Sequence, residues 1–311
     1  MHCVVTGAAG FIGSHLSEAL LAGGHTVIGI DVFTDYYPRA QKERNLAGLR
    51  GRPGFTFVEG DLRELDLPRL LEGAEWVFHQ AAQAGVRASW GDYFSTYTAH
   101  NVLATQMLLE AVHKMPVRKL VYASSSSIYG DAERAPTPEE TIPQPVSPYG
   151  VTKLAAEHLC FAYARNFDVP AVALRYFTVY GERQRPDMAF HRFLRMALSG
   201  EPVPVYGDGL QSREFTYVSD VVKANLLAAE HGRPGTPYNI GGGSQVTVAE
   251  VLELMGELLG RPVARQTLPA QPGDVRRTQA DITRARAELG YEPTVGLREG
   301  LRRELEWLRG T

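Results

Sequence analysis

Tyr149 and Lys153 stand four residues apart in "VSPYGVTKLAAEHL" (146–159), a spacing that puts a phenol and an ammonium on one face of a helix. A free phenol has a pKa of roughly 10 and is a poor base at neutral pH. An ammonium one turn away, together with the positive ring of a bound oxidised nicotinamide, favours the phenolate. That phenolate can take a proton from a substrate hydroxyl as hydride leaves the same carbon. Tyr-x-x-x-Lys pairs also arise by chance on amphipathic helices, so this one gains meaning from its company. Its company is the serine run of "YASSSSIYG" (122–130), with Ser125 placed 24 residues before Tyr149, and the glycine stretch "TGAAGFIG" (6–13).

Gly7, Gly10 and Gly13 directly follow a short apolar run and open an amphipathic segment. Glycines there let the backbone turn tightly and approach a pyrophosphate, while the N–H groups of a helix start, here around Phe11 and Ile12, face the phosphates. Asp31 ends the next apolar run, 18 residues after Gly13, where a carboxylate can accept from the ribose diol of adenosine. An acid at that place argues for NAD over NADP. "GDL" (60–62) and "QAA" (80–82) end two further runs, and Asp61, Leu62, Ala81 and Ala82 are expected along the same crevice.

These residues need a frame. Apolar runs "HCVVTG", "TVIGID", "FTFVEGD", "WVFHQAA", "VRKLVYASS" and "VPAVALRYF" alternate with amphipathic segments. Runs that are apolar throughout suit strands covered on both faces, and the segments between them supply the crossovers of a doubly wound parallel sheet, an α/β fold. The four serines then end a strand and form the floor of a site instead of a linker. Ser147 reads as the N-cap of the Tyr149 helix, with Pro148 at its first position. A dinucleotide-binding domain is expected over 1–178 and a smaller substrate lobe over 179–311, with 213–232 returning to the first. Ser219 or Asp220 would cap the helix in that returning segment.

Composition narrows the class. The 311 residues are 44% apolar, with 32 Lys and Arg against 35 Asp and Glu, a net charge of −3. No electrostatic footprint for nucleic acid or an anionic membrane appears at that balance. No run approaches 18 apolar residues and the chain enters its first strand without a basic, apolar leader, so a cytoplasmic protein is expected. Cys3 and Cys160 sit in apolar segments and read as small core residues. No metal is expected.

In order, "TGAAGFIGSH", "GDL", "HQAAQAGV", "YASSSSIYG", "SPYGVTK" and "LRYFTVYG" resemble the extended short-chain dehydrogenase/reductase superfamily, the nucleotide-sugar epimerases and dehydratases, over essentially the whole chain. Within it, "DVFTDYY" (31–37), "AAQAGVR" (81–87) and "RYFTVYGERQRPDMAF" (175–190) most resemble UDP-glucuronate 4-epimerases. The resemblance implies an NAD cofactor and a UDP-sugar substrate. It makes Tyr149 the base, Lys153 the ribose-binding partner that lowers its pKa, and Ser125 the hydroxyl on the C4 oxygen, with Ser124 facing the cofactor, Ser126 and Ser127 the sugar's C5 substituent, and Asn101 and Tyr176 holding the nicotinamide half. Val205 and Tyr206 would hold uracil, with Met188 also in the substrate site, and Arg213 and Arg276 would take the diphosphate. It also implies a homodimer, with helices near 97–114 and 149–166 pairing across a two-fold as a four-helix bundle. Leu103, Met107, Leu108, Phe161 and Tyr163 are candidates for that face.

Dehydratases of the superfamily carry an Asp-Glu pair immediately after the catalytic hydroxyl, where this chain has Ser126 and Ser127. Hydroxyls are weak bases, so re-reduction of a 4-ketosugar is favoured over loss of water. A 4-keto uronate is a β-keto acid prone to lose carbon dioxide, so its carboxylate must be held. Ser126, Ser127 and Thr178 could bond it, and Arg185 or Arg87 could pair with it. UDP-glucose or UDP-N-acetylglucosamine 4-epimerisation, UDP-glucuronate decarboxylation and a non-catalytic NAD-binding scaffold remain the alternatives.

Overall fold

Strands buried on both faces must be apolar throughout, and the six runs become β1 (His2–Thr6), β2 (Thr26–Asp31), β3 (Phe55–Glu59), β4 (Trp76–His79), β5 (Lys119–Ser125) and β6 (Ala171–Tyr176). The computed structural model describes residues 1–132, 134–269 and 277–310. All six strands pair in parallel in the order β6-β5-β4-β1-β2-β3, and a seventh, Pro237–Ile240, pairs with β6 at the edge. The sequence reading missed this last strand. It is only four residues long and carries Asn239, so neither its length nor its polarity marks a buried strand.

Helices α1 (Phe11–Ala22), α2 (Arg39–Leu46), α3 (Leu67–Leu70), α4 (Phe94–Tyr97), α5 (Ala104–Lys114) and α6 (Pro148–Phe167) belong to the crossovers. Beyond β6 come α7 (Ala189–Ser199) and α8 (Val218–His231). On one face of the sheet, α1 packs against α8 over a core that includes Val5, Leu16, Leu20, Val121 and Val221. On the other, α5 and α6 cover Val4, Val77, Leu120 and Tyr122, with Leu108 and Cys160 in that core. Cys3 and Cys160 are both buried and free. β1 has β2 on one side and β4 on the other, so the chain winds outward in both directions from this point. A crevice opens there beyond the carboxyl ends of the strands.

The C-terminal residues form a second layer beside that edge, with Val203–Tyr206 paired in parallel to Arg265–Leu268 and helices Val248–Leu259 and Leu297–Arg309. Ser147 caps α6 as expected, its hydroxyl accepting from Gly150 N at 3.1 Å with Pro148 next. The helix in the returning segment starts differently. Tyr217 is its N-cap with no side-chain bond, and Asp220 lies inside the first turn. Asp220 is buried and reaches across to accept from Thr294 N at 3.0 Å, Thr294 Oγ1 at 2.8 Å and Val295 N at 3.1 Å. One carboxylate thus ties α8 to the loop ahead of the last helix. Asp220→Ala leaves these donors without an acceptor and is expected to cost about 2–3 kcal/mol, read as a lowered urea midpoint. An unchanged midpoint would show that water replaces the carboxylate.

Candidate active site

The turn after β1 brings backbone against backbone. Gly7 has φ +70, and a Cβ there would sit 2.8 Å from Ala81 N; a Cβ at Gly13 would sit 2.1 Å from Gly7 O. Only glycine permits both approaches. No side chain caps α1, so its first N–H groups remain available to an anion. Gly7, Gly10, Phe11, Ile12 and Gly13 form one wall of a cleft that continues past Asp31, Asp61 and Leu62, then Ala81 and Ala82, to Tyr149, Lys153 and Tyr176. An uncapped helix start, a glycine approach and an acid at the far end fit a dinucleotide.

Asp31 accepts from Ala9 N at 3.1 Å and Phe33 N at 2.9 Å, and the buried Lys42 ammonium lies 3.8 Å from it. Lys42, which donates to Thr34 O and Oγ1, also lines the cleft and was not singled out from the sequence. The Arg63 fork, with Nη2 2.6 Å from Asp61 Oδ2, holds the Asp61 carboxyl below the usual range. Asn101 is behind the wall, not in it. Its side chain donates to Gln83 O and Thr152 Oγ1 and accepts from Gln83 N at 2.7 Å, so the amide is spent on shaping the loop after β4.

Ser125 is the last residue of β5, and its Oγ accepts from Ser127 N at 3.1 Å. Burial raises the Tyr149 phenol's pKa; the Arg185 guanidinium opposes this first and a hydrogen bond with Ser125 second. The sequence reading gave that lowering role to Lys153. Lys153 is buried with its ammonium 4.5 Å from the Tyr122 ring centroid, and burial brings its pKa down to about 7 against the pull of Cys160 and Glu157. The Arg185 guanidinium favours the Tyr149 phenolate against the burial of that phenol. Ser124 borders the cleft, and its hydroxyl donates to Glu157 Oε2 at 2.6 Å. Side chains alternate along a strand, so Ser124 and Ser125 point to opposite faces, and of the two it is Ser124 that lines the first cleft.

A second cleft adjoins the first, lined by Arg87, Ser126, Ser127, Thr178, Tyr206 and Arg213, and Tyr36 borders both. The Arg87 guanidinium lies 4.9 Å from the Tyr206 ring centroid. Arg185 lines the first cleft and is forked to Asp187, Nε to Oδ1 at 3.0 Å and Nη2 to Oδ2 at 2.9 Å, while Tyr36 donates to Asp187 at 3.2 Å. Val205 is turned into the core while the next residue, Tyr206, faces the cleft, again by strand alternation. Met188 serves as the extended N-cap of α7 and lines neither cleft. Arg276 lies outside the described residues. Arg192 and Gln211 line the second cleft and were missed. For Arg192 no local signal was available, since Met188, one helical turn before it, lines neither cleft.

Together these groups can bind a dinucleotide end to end with a second nucleotide-sized ligand, and set a phenol, a hydroxyl and an ammonium where the two meet. Lys153 also yields a pH test. Its folded pKa is below the ordinary 10.5, so between about 7 and 10.5 the unfolded chain binds a proton that the folded one does not. This group's contribution therefore makes the NAD-free protein more stable as pH rises through that window. Lys153→Met is expected to raise Tm at pH 7 and to lose the advantage toward pH 10, measured by thermal melts across pH.

Comparison with known proteins agrees with this geometry. The NAD dependent epimerase/dehydratase family model matches residues 3–241. The chain is 46% identical over 99% of its length to the uncharacterized UDP-glucose epimerase YtcB of Bacillus subtilis, covering 98% of that protein. It is 35% identical over 98% of its length to the UDP-glucuronate 4-epimerase of Thermodesulfobacterium geofontis, covering 95% of it. Among solved structures, the UDP-glucuronic acid 4-epimerase of Bacillus cereus in complex with UDP-glucuronic acid and NAD superposes with a TM-score of 0.96 at 42% identity, covering 100% of this chain and 99% of that one. The chain therefore belongs to the NAD-dependent epimerase/dehydratase family.

Proposed function

We propose that this protein is a UDP-glucuronate 4-epimerase that interconverts UDP-glucuronate and UDP-galacturonate. The observation that carries the reading is Arg185, a guanidinium that lines the first cleft with Tyr149 and is forked to Asp187 of the second cleft, which also presents Ser126, Ser127 and Thr178. A cation and three hydroxyls suit a carboxylate on C5, and serines in place of an Asp-Glu pair offer no base for loss of water. The complex of the Bacillus cereus relative with UDP-glucuronic acid and NAD supports the same choice.

NAD, when bound, accepts hydride from C4 and returns it. In this reading Tyr149 takes the C4 hydroxyl proton, Ser125 bonds the C4 oxygen and Lys153 holds the nicotinamide ribose. The 4-ketosugar then presents its other face, recovers hydride at C4 and takes the proton back from Tyr149, so there is no net redox change. Gly7, Gly10, Phe11, Ile12, Gly13, Asp31, Asp61, Leu62, Ala81, Ala82 and Tyr176 would hold the dinucleotide, with Asn101 and Ser124 supporting from behind. Tyr206, Arg213 and Arg87 would hold the UDP half, with Val205 contributing backbone.

A second reading, UDP-glucose 4-epimerisation, draws on the existing Arg185–Asp187 fork, which already neutralises the cation that a uronate would need. We further infer a cytoplasmic homodimer. No helix among the described residues is long and apolar enough to cross a membrane. Leu103 and, on α6, Val151 and Phe167 are exposed apolar residues on the helices proposed to pair, whereas Leu108 and Tyr163 are buried within the protomer. Light scattering is expected to give twice the protomer mass, and a monomer would remove this part of the reading.

Incubation with UDP-glucuronate is expected to give an isomer of equal mass. Loss of carbon dioxide would indicate a decarboxylase, and turnover of UDP-glucose alone would establish the second reading. Tyr149→Phe is expected to cut kcat by roughly 10²- to 10⁴-fold. Arg185→Ala should erase the preference for UDP-glucuronate over UDP-glucose, and an unchanged preference would exclude Arg185 as the reader of the carboxylate.

A further inference from the structure

Beneath the active site lies a buried charge pair that the proposed chemistry does not use. Glu157 has no exposed surface, and Arg175 is buried beside it. Arg175 Nη2 donates to Glu157 Oε1 at 2.6 Å, while its Nε lies 3.2 Å from Oε1 and 3.1 Å from Oε2. Its Nη1 donates to Tyr129 OH at 2.6 Å and Glu139 O at 3.0 Å. Ser124 Oγ donates to Glu157 Oε2 at 2.6 Å, and Ser124 pairs in register with Arg175 across β5 and β6. Glu157 therefore ties three elements together. It lies on α6 at the i, i+4, i+8 repeat that begins with Tyr149 and Lys153, so all three share a helix face. The bond from Ser124 joins that face to the residue immediately before Ser125.

A buried ion pair is poor evidence of stabilisation, because apolar residues of the same volume often serve as well. This pair does something apolar residues could not. The charged and titratable groups around it are Lys153 and Cys160 on α6, Tyr122 in the middle of β5, Arg175 on β6 and Tyr129 beyond β5, with Glu139 behind and the neutral His79 of β4 facing Lys153. Of these, Glu157 is the carboxylate that bears on Lys153.

We propose that Glu157 is a positioning residue of the active site, clamping the end of β5 to α6 through Ser124 and Arg175 and holding a negative charge one turn beyond Lys153. Ser125 and Tyr149 come from different elements, and this clamp fixes their separation. Its charge keeps the Lys153 ammonium available to a nicotinamide ribose. The proposal rests on the epimerase reading for its catalytic half, whereas its cofactor half can be measured without turnover.

The test compares Glu157→Gln, Glu157→Asp and Ser124→Ala with wild type, measuring NAD affinity by calorimetry and kcat and KM for UDP-glucuronate, each across pH. Glu157→Gln keeps the shape and loses the charge. It is expected to weaken NAD by about tenfold, the order seen when a well-oriented supporting group is lost. The alkaline limit of NAD affinity, and of kcat, should move to lower pH because the ammonium loses its counter-charge. Glu157→Asp should restore the alkaline limit in part. Ser124→Ala, which keeps the ion pair, should lower kcat by about tenfold through misplacement of Ser125, leaving KM and the alkaline limit in place. Wild-type NAD affinity and alkaline limit in Glu157→Gln would overturn the proposal, as would full kcat in Ser124→Ala. If Glu157→Gln does not fold, Glu157→Asp and Ser124→Ala decide the matter by the same readouts. If wild type turns over no UDP-glucuronate, the functional reading falls while the NAD measurements still decide the charge role.

Discussion

An all-parallel sheet sets every strand's carboxyl end on the same edge, and this constraint governs the rest of the molecule. The strands are covered on both faces and so are apolar along their length; polar chemistry is displaced to their last residues and the turns beyond. Thr6, Asp31, His79, Ser125 and Tyr176 all end strands of the sheet. The winding reverses at β1, which parts the crossovers above that edge and leaves room for a dinucleotide. The glycines of the first turn then determine how closely β1, α1 and the loop after β4 approach, since a single added carbon at Gly7 or Gly13 would strike backbone.

Strand alternation assigns the serine hydroxyls. On β5, Leu120 and Tyr122 face the α5 and α6 side, whereas Val121 and Ala123 face α1 and α8. Continued to the end of the strand, this alternation sends Ser124 toward α6 and Ser125 the other way. The pleat was readable in the sequence, and it separates the two hydroxyls. What the sequence could not supply was the acceptor, because Glu157 looks like any acid on an amphipathic helix until the fold buries it against Arg175.

Local signals and tertiary signals separate in the same way elsewhere. The glycine loop, Asp31, the Ser147 cap and the Tyr149–Lys153 spacing are local, since each depends on a few consecutive residues, and the fold class follows from the repetition of such segments. Asn101 is polar and near the right loop, yet its amide is consumed by Gln83 and Thr152, a fact visible only when helix and loop are in contact. Asp220 resembles an N-cap because acids favour helix starts, but its partners are more than seventy residues away. Lys42 and Arg192 reach the clefts from helices whose orientation no short stretch determines.

Arg185 shows how the two clefts are coupled electrostatically. Two of its donors are committed to Asp187, whose second oxygen also accepts from Tyr36, so the guanidinium is oriented before any ligand arrives. Nε and Nη2 are the nitrogens bonded to Asp187, so a ligand carboxylate would approach from the Nη1 side. A uronate bound there would put two carboxylates on one guanidinium, an arrangement that needs further donors to the ligand. Ser126, Ser127 and Thr178 border the neighbouring cleft as neutral donors, which can bond a carboxylate without adding charge beside Tyr149.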